Sequence, residues 1–206
     1  MTNQNRRSRG DEGKRGGDRR ARIVEAARKL LAEEGYDRVT MKHVAREAGV
    51  AQGLIHYYFS GKDEILLEVL MEASREYSRK TDRLARSLPE GADLAEAALA
   101  ATRERVTRTP EWYRMRYELF AMGLRKPEFL SGVAALLNSG REGIAATLDR
   151  ISGSENPSPE RETLAAVLLA CFDGLALQKL ADPDGFDLDE AYNALAKMAE
   201  VAAETE

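Results

Sequence analysis

The chain has 206 residues, of which 43% are hydrophobic and 32% charged, and its single cysteine excludes an internal disulfide. This composition suffices for a packed core, so it excludes a wholly disordered chain and a small disulfide-stapled secreted domain. The start is polar and basic, without the apolar core of a signal peptide, and no apolar run approaches the roughly 20 residues of a membrane helix. We therefore expect a cytoplasmic protein with no membrane partner.

The overall net charge of −4 conceals a division of charge along the chain. Residues 1–62 carry 14 basic and 8 acidic side chains, a net charge of +6, whereas residues 63–206 carry 17 and 27, a net charge of −10. A basic N-terminal part on an acidic body indicates that one part of the protein meets a polyanion.

Residues 1–18 form an arm rich in arginine and glycine with almost no apolar side chain. Because it cannot bury enough surface to offset its ordering entropy, we expect the arm to be disordered in isolation. It is either a solvated tail or a basic arm that follows a phosphate backbone or enters a minor groove.

From Arg19 onward the apolar residues recur with helical spacing, which predicts a first helix ending at Gly35. Two short helices follow. Thr40 can cap the first of them, Gly49 interrupts the pair, and the second begins near Ala51. The run Ser60–Asp63 is typical of a capping box that opens a long helix.

The two short helices, joined by a tight turn, have the geometry of a helix-turn-helix. Their apolar residues face a shared core, so the second helix presents Gln52, Gly53, His56 and Tyr57 outward. Glutamine can pair with adenine, and a glycine lets the backbone approach base edges in a major groove. Thr40, Tyr57 and Lys62 are candidates for phosphate contacts, Lys62 together with the N–H groups at the start of its helix.

Residues 67–206 continue as helices, and the last two are the candidates for a homodimer interface. Residues 165–177 are apolar nearly all round, so one face can pack on its own domain while the other needs a partner. In the last helix, about residues 188–203, Ala191, Leu195, Met198 and Ala202 have the spacing of a packing seam. A four-helix bundle across a two-fold axis would bury both helices; alternatively, they close the core of a monomer.

An aromatic cluster near residue 115 is the candidate ligand pocket, with basic and polar side chains interleaved. Such clusters also occur as ordinary core, and both interpretations stay open here. Arg114 and Arg116 suggest an acidic ligand, although both could equally lie on the surface. The predicted ligand-binding residues are Trp112, Arg116, Tyr117, Phe120 and Phe172.

The sequence offers no enzyme signature: no nucleophile elbow, metal motif or dinucleotide fingerprint occurs in it. Two histidines cannot build a histidine-rich metal site, so we expect neither a metal nor a cofactor. A helical adaptor that binds protein rather than DNA is the remaining alternative, and it would leave the outward polar set of the second short helix unexplained.

Residues 50–63, VAQGLIHYYFSGKD, resemble the recognition-helix signature of the TetR family of bacterial transcriptional regulators. Downstream, residues 113–137 are more weakly similar to C-terminal domains of the BetI type. The resemblance implies base contacts by Gln52 and Gly53. It also implies phosphate or groove contacts by the side chains of Thr40, Lys42, His56, Tyr57 and Lys62. Ala51 stands where the family commonly has serine, so one capping hydroxyl is missing.

We therefore predict an all-α protein with a helix-turn-helix DNA-binding domain of three helices over residues 19–66 and a helical ligand-binding and dimerisation domain over residues 67–206. The resemblance implies a homodimer that binds a palindromic double-stranded operator. It also implies that an unknown small-molecule effector in the C-terminal domain changes DNA affinity. The expected role is that of a repressor.

Overall fold

The computed structural model describes residues 4–88, 93–153 and 158–203. Within these ranges the chain forms α-helices and one short 3₁₀ turn and contains no strand, which confirms the predicted all-α class. The helices are α1 (Gln4–Glu34), α2 (Met41–Ala48), α3 (Gln52–Tyr58), α4 (Lys62–Ser87), α5 (Leu94–Arg108), α6 (Pro110–Arg125), α7 (Leu130–Ser152), α8 (Pro159–Ala181) and α9 (Leu188–Ala203), with the 3₁₀ turn at Pro127–Phe129.

The chain divides into two compact units, Met1–Met71 and Glu72–Glu206. The predicted boundary, between residues 66 and 67, lies slightly earlier in α4. Each unit has its own set of buried apolar side chains.

Helix α1 begins at Gln4, whereas the sequence predicted a helix from Arg19 and a disordered arm before it. The difference has a physical cause. Arginine, lysine and glutamate have high helix propensity, and adding residues to an existing helix is far easier than nucleating a new one. The part of α1 that packs, from Ile23 to Leu31, supplies that nucleus.

The first unit is held together by apolar side chains from α1 to α4. Helix α1 ends where predicted, because Gly35 adopts the left-handed conformation, with φ of 78°. Thr40 caps α2 as expected, its hydroxyl oxygen accepting a hydrogen bond from the His43 backbone N–H at 3.2 Å. The buried side chains of this core are Ile23, Val24, Ala26, Ala27, Leu30, Leu31, Val39, Val44, Ala45, Ala48, Ile55, Phe59, Ile65, Leu66, Val69 and Leu70.

The turn between α2 and α3 is fixed by Gly49 and by α1. Gly49 is left-handed, with φ of 63° and ψ of 41°, a conformation that side chains with a Cβ rarely adopt. The Arg22 guanidinium donates to the Ala48 carbonyl at 2.6 Å, so a carbonyl at the end of α2 that lacks an intrahelical partner is satisfied by α1. The orientation of α3 is thereby tied to the longest helix of the unit.

The start of α4 is capped one residue later than we predicted. Helix α4 begins at Lys62, and it is Glu64, not Asp63, whose carboxylate accepts from both the Ser60 backbone N–H, at 2.7 Å, and the Ser60 hydroxyl, at 2.8 Å. Asp63 instead accepts a hydrogen bond from the Tyr36 hydroxyl. Only the carboxylate half of the predicted capping box is therefore present, one residue later than predicted, because Asp63 has a competing donor from the preceding loop. The Ser60 hydroxyl donates to Glu64 and is not a cap for a backbone N–H group of α4.

The second unit is a bundle of α5 to α9 with the C-terminal part of α4. Asp93 caps α5 by accepting from the backbone N–H groups of Ala95 and Glu96, and Pro110 occupies the favoured first position of α6. One of its apolar clusters joins α5, α6, α8 and α9, and its buried members are Val106, Tyr113, Ala176, Leu188 and Tyr192.

Helix α9 packs through a different stripe from the predicted seam. Leu188, Tyr192 and Leu195 are buried, at positions i, i+4 and i+7, whereas Met198 is 65% exposed. The predicted seam combined Leu195 with Met198, which lies about 60° further round the helix, at the exposed edge of the buried stripe. A role of this seam between two copies of the chain stays a prediction. The Ala202 side chain lies outside the described residues.

Helix α8 leaves much of its apolar surface uncovered in one chain. Val167 and Leu177 are each 52% exposed, and only 22% of the most apolar 18-residue stretch of α8 is buried. By length and composition this helix could cross a membrane, contrary to our interpretation that no run is apolar enough. A soluble helix with one buried and one partner-facing side passes the same test.

Candidate nucleic-acid interface and ligand cavity

Helix α3 separates buried anchors from an exposed polar face. Ile55 is fully buried and Phe59, just after the helix, is 1% exposed. The predicted contact residues Gln52, Gly53, His56 and Tyr57 are all exposed and lie at positions i, i+1, i+4 and i+5 of the helix. The structure therefore brings these four residues together on one face.

Gly53 has no role within the described part of the chain that requires a glycine. A Cβ added to it would meet no atom within 4 Å, and its φ is not positive. Since glycine inside a helix costs about 1 kcal/mol relative to alanine, its presence there has no local structural benefit. The open space at its Cβ position leaves room for another molecule to approach the backbone of α3 closely.

The N-terminal ends of α2 and α3 differ in their capping. Thr40 is exposed and caps α2, and its hydroxyl keeps its own hydrogen for a further acceptor; Lys42, in the first turn, is also exposed. Ala51 gives α3 no side-chain cap, as its sequence indicated. The N–H groups at the start of α3 are consequently not satisfied by a capping side chain.

Lys62 differs from the other predicted contact residues, because the protein itself uses its ammonium group. The Nζ atom donates to the Tyr36 carbonyl at 2.9 Å and to the Val39 carbonyl at 3.3 Å, and it lies 4.0 Å from the centre of the Tyr36 ring. Two of its three donors thus connect α4 to the loop before α2. Sequence reasoning could not see this competing role.

The second unit contains a cavity of about 440 Å³, within the size range of small-molecule sites. Aromatic and aliphatic side chains form most of its wall, and several hydroxyl groups line it as well. Two of these hydroxyl contacts are internal: Tyr77 Oη lies 2.9 Å from Thr102 Oγ1, and Ser74 Oγ lies 3.2 Å from Ser139 Oγ. The cavity thus offers a mainly apolar volume with a limited number of polar groups.

Three of the five predicted ligand residues line this cavity, namely Trp112, Arg116 and Phe172. Tyr117 and Phe120 are not among the lining residues, and a ligand contact by either of them stays a prediction. The Tyr117 hydroxyl donates to the Asp173 carbonyl at 2.6 Å, and burial raises the pKa of that hydroxyl. The Phe120 ring lies 4.7 Å from the Arg116 guanidinium. Both aromatic groups support the cavity wall from behind.

Arg116 is neutralised by a carboxylate that the sequence did not reveal. Its Nε and one terminal nitrogen donate to the two Asp173 carboxylate oxygens, each at 2.9 Å, and the Arg116 side chain is only 2% exposed. Arg114, the other arginine that suggested an acidic ligand, is exposed and does not line the cavity. Neither Arg114 nor Arg116, the two arginines that suggested an acidic ligand, is therefore an unpaired cation inside the cavity.

Sequence reasoning missed Arg105, the cavity residue with the most unusual surroundings. Its guanidinium carbon lies 3.6 Å from the centre of the Trp112 ring and 4.1 Å from that of Tyr77, both lining residues. Burial lowers the pKa of the Arg105 guanidinium. The only signal in the sequence was an arginine facing inward on α5, seven residues before the tryptophan, and this is too weak to identify a site.

Among the residues that the structure describes, no cluster of His, Cys, Asp or Glu could hold a metal ion. The histidine nearest to a carboxylate, His43, has its Nδ1 atom 3.8 Å from Glu34. In the part of the chain that the structure describes, the face of α3 and the cavity are the two candidate sites.

Comparison with known proteins identifies both units. A model of bacterial regulatory proteins of the tetR family matches residues 23–69, and a model of the tetracyclin repressor-like C-terminal domain matches residues 89–201. The HTH-type transcriptional repressor Rv1474c of Mycobacterium tuberculosis (strain ATCC 25618 / H37Rv) is 26% identical over 164 residues, which is 79% of this chain and 80% of that protein.

Two further relatives match over shorter stretches. The HTH-type transcriptional regulator HbdR of Aromatoleum sp. (strain CIB) is 42% identical over 66 residues, and the regulator BetI of Agrobacterium fabrum (strain C58 / ATCC 33970) is 41% identical over 61 residues. These matches cover 32% and 30% of this chain, and 29% and 30% of the two relatives. The chain thus matches about a third of the length of HbdR and BetI.

The solved structures give the same result. The multidrug binding protein EbrR, complexed with ethidium, superposes with a TM-score of 0.66 at 27% identity, over 87% of this chain and 96% of that one. The relatives and the family are transcriptional regulators, not enzymes. The chain described here belongs to the TetR family of bacterial transcriptional regulators.

Proposed function

We propose that this chain is a ligand-responsive repressor that binds a palindromic operator as a homodimer. A small molecule in the cavity of the second unit changes its affinity for DNA. The protein works in the cytoplasm, where its operator lies. Of the relatives reported above, Rv1474c is named a repressor, and this name supports the choice of repressor over activator.

The exposed face of α3 is the observation that carries this proposal. Gln52 can form two hydrogen bonds with the N6 and N7 atoms of adenine, and the open space at Gly53 lets the helix backbone approach a base pair. His56 and Tyr57 extend the same face by one helical turn, and Tyr57 is 79% exposed. If this face of α3 bound another protein instead, we would expect exposed apolar side chains at its centre.

Phosphate contacts would hold this face in the groove. Thr40 and Lys42 lie in the exposed first turn of α2 and have donors available, and Tyr57 has its hydroxyl. Lys62 contributes mainly through the fold, because two of its donors are already used by backbone carbonyls. Its third donor is available for a phosphate that reaches the start of α4.

The exposed apolar side chains of α8 and α9 support a homodimer through these two helices. Val167 and Leu177 on α8 and Met198 and Val201 on α9 are all more than half exposed. Gly174, in the middle of α8, has open space around its Cβ position, so a second helix can come close. Two copies of this pair of helices would form a four-helix bundle that covers all five positions.

The effect of a ligand is a shift between conformations of the dimer. A bound molecule can favour the dimer whose reading helices no longer match half-sites about 34–36 Å apart. Helix α4 begins at Lys62 in the first unit and ends at Ser87 in the second, where Tyr77 and Asp82 line the cavity. A change in the cavity wall therefore acts on the same helix that starts beside α3.

The test is selection of bound fragments from random duplex DNA by the purified protein, followed by salt titration on the enriched sequence. We expect an inverted repeat whose affinity falls steeply with salt, since phosphate contacts release counterions. If no sequence is enriched even at low salt, the DNA-reading proposal fails. The helical adaptor that binds protein would then be the better explanation.

A further inference from the structure

Three arginines line the cavity, and they differ in whether a carboxylate neutralises them. Arg116 is paired with Asp173 at 2.9 Å and Arg150 with Asp82 at 2.6 Å. Arg105 has no carboxylate within 4.0 Å and no side-chain hydrogen bond among residues 4–88, 93–153 and 158–203. The complete set of charged lining residues is Asp82, Arg105, Arg116, Glu142, Arg150 and Asp173.

Glu142, the one remaining acidic group of the cavity, does not neutralise Arg105. It is exposed, so its carboxylate is hydrated by bulk water. The lining groups sum to zero net charge, but the charge is unevenly distributed. The half-buried part of the wall, near the aromatic rings, keeps one cation that forms no direct ion pair with a described residue. Asp173 attracts Arg105 only at longer range, because its carboxylate oxygens are already bound by Arg116.

The surroundings of Arg105 favour binding of an anion by the edge of its guanidinium group. The guanidinium lies over the Trp112 and Tyr77 rings, which stabilise the cation but offer it no hydrogen-bond acceptor. Its planar N–H groups match a carboxylate with two parallel hydrogen bonds. Because burial weakens the hydration of this cation, such a pair is stronger here than on the surface.

We propose that the effector is an amphipathic organic acid with one anionic head group, whose carboxylate or equivalent pairs with Arg105 while its apolar body fills the rest of the cavity. This inference rests on the proposed function, because it names the class of ligand for that same cavity. The apolar wall contacted by that body includes Leu99, Ile144, Leu168 and Phe172. The class differs from ethidium, a cation, with which the structural relative EbrR was crystallised.

The protein contains its own reporter for the test. Trp112 is the only tryptophan of the sequence, lines the cavity and contacts Arg105. Its fluorescence therefore reports binding next to the proposed head-group site. The probes are decanoate, 1-decanol and decylamine, which share one alkyl chain and carry a negative, a neutral and a positive head group at neutral pH.

For the full-length wild-type protein we expect decanoate to bind roughly 10-fold or more tightly than 1-decanol, and decylamine to bind most weakly. In Arg105→Gln the advantage of decanoate over 1-decanol should fall below about threefold, while 1-decanol binding changes little. The matched control is Arg114→Gln, which removes the same charge from the exposed side of α6 and should keep the wild-type order.

Arg105→Met serves as a second variant, because it keeps an unbranched side chain beside the two rings. Far-UV circular dichroism and thermal unfolding show whether both variants are folded. The proposal is overturned if decanoate and 1-decanol bind wild type equally, or if decylamine binds most tightly. It is equally overturned if the decanoate preference survives in both variants, or if none of the three probes changes Trp112 fluorescence.

Duplex binding tests the proposed function, whereas the order of probe affinities tests the ligand class. Arg114→Gln without probe should bind the selected duplex as wild type does, since Arg114 is exposed on α6 and does not line the cavity. Lack of duplex binding by wild type contradicts the repressor proposal, whatever the order of the probes. Duplex binding combined with a wrong order of the probes contradicts only the ligand class.

Discussion

Arg116 on α6 and Asp173 on α8 form an ion pair with two parallel hydrogen bonds, although 57 positions separate them in the sequence. The Arg116 side chain is 2% exposed and that of Asp173 is 17% exposed. A buried charge whose partner is removed becomes an uncompensated charge in a medium of low polarity. The pair therefore fixes α6 against α8 beside the cavity more by the cost of breaking it than by its net attraction.

We predict that Asp173→Asn lowers the free energy of unfolding by about 3–5 kcal/mol, because it leaves the Arg116 charge buried without a counterion. Urea denaturation at one fixed protein concentration measures this change. The control is Glu104→Gln, which breaks the exposed Glu104–Arg108 pair on α5 and should cost at most about 1 kcal/mol. Equal losses in the two variants would contradict a special role for the buried pair.

Gly53→Ala should change stability and DNA binding in opposite directions. The added methyl group meets open space in the free protein, and alanine has the higher helix propensity, so unfolding should become harder by about 0.5–1 kcal/mol. The same methyl group obstructs close approach to a base pair, so affinity for the selected duplex should fall. Thermal unfolding and a fluorescence anisotropy titration measure the two effects.

The control for this variant is Ser131→Ala, which also introduces alanine at an exposed helical position, but on α7 in the second unit. It should leave duplex affinity at the wild-type value. Gly53→Ala with unchanged or higher DNA affinity would show that α3 does not approach bases at this point.

Gln52→Ala and Lys42→Ala should weaken DNA binding in different ways. Loss of a base contact at Gln52 should cost about 1–3 kcal/mol and relax the preference at one base pair of each half-site. Loss of a phosphate contact at Lys42 should lower the affinity for all DNA sequences alike. It should also reduce the slope of log affinity against log salt concentration by about 1 per bound chain. Competition titrations with single-base variants of the selected duplex, at several salt concentrations, separate the two patterns. If Gln52→Ala keeps both affinity and preference, α3 is not the reading helix.

Lys62→Met should lower protein stability as well as any phosphate contact. Because it removes two hydrogen bonds to the carbonyls of Tyr36 and Val39, we expect a loss of about 1–3 kcal/mol in the free energy of unfolding. Lys42→Met, at an exposed position of α2, provides the comparison and should leave stability unchanged. Should Lys62→Met unfold like wild type while reducing the salt slope, its main role is the phosphate contact that the sequence suggested.

Leu177→Glu should convert the proposed dimer to monomers, because it places a charge in the middle of the apolar face of α8. Leu124→Glu is the control: Leu124 is even more exposed, at 82% against 52%, but lies on α6. Size-exclusion chromatography with light scattering gives the mass of each variant. A monomeric wild type, or dissociation by Leu124→Glu alone, would contradict the assignment of the interface to α8 and α9.

Local patterns in the sequence were sufficient for most of the helices and for the face of α3. Gly35, Gly49, Thr40 and Pro110 act through the backbone of their immediate neighbours, so their effect is visible without a structure. Spacing also separated the buried Ile55 from the exposed residues around it.

The cavity could not be predicted in the same detail, because its properties depend on contacts between distant helices. Arg116 had the residue type expected of a ligand contact, but its role depends on Asp173, and the sequence does not reveal that pairing. Arg105 was overlooked because its importance comes from Tyr77 and Trp112, which belong to two other helices. The burial of Tyr192 was not predicted for a similar reason, because it depends on which side of α9 faces the other helices of the second unit.

The uncovered face of α8 also has a consequence for the amount of active protein in the cell. If Val167 and Leu177 are buried only in a dimer, the concentration of dimers that can bind an operator rises with the square of the chain concentration when the chain is scarce. Modest changes in synthesis would then produce larger changes in operator occupancy. Single copies with an exposed apolar helix would at the same time be preferred targets for proteolysis, which sharpens this threshold.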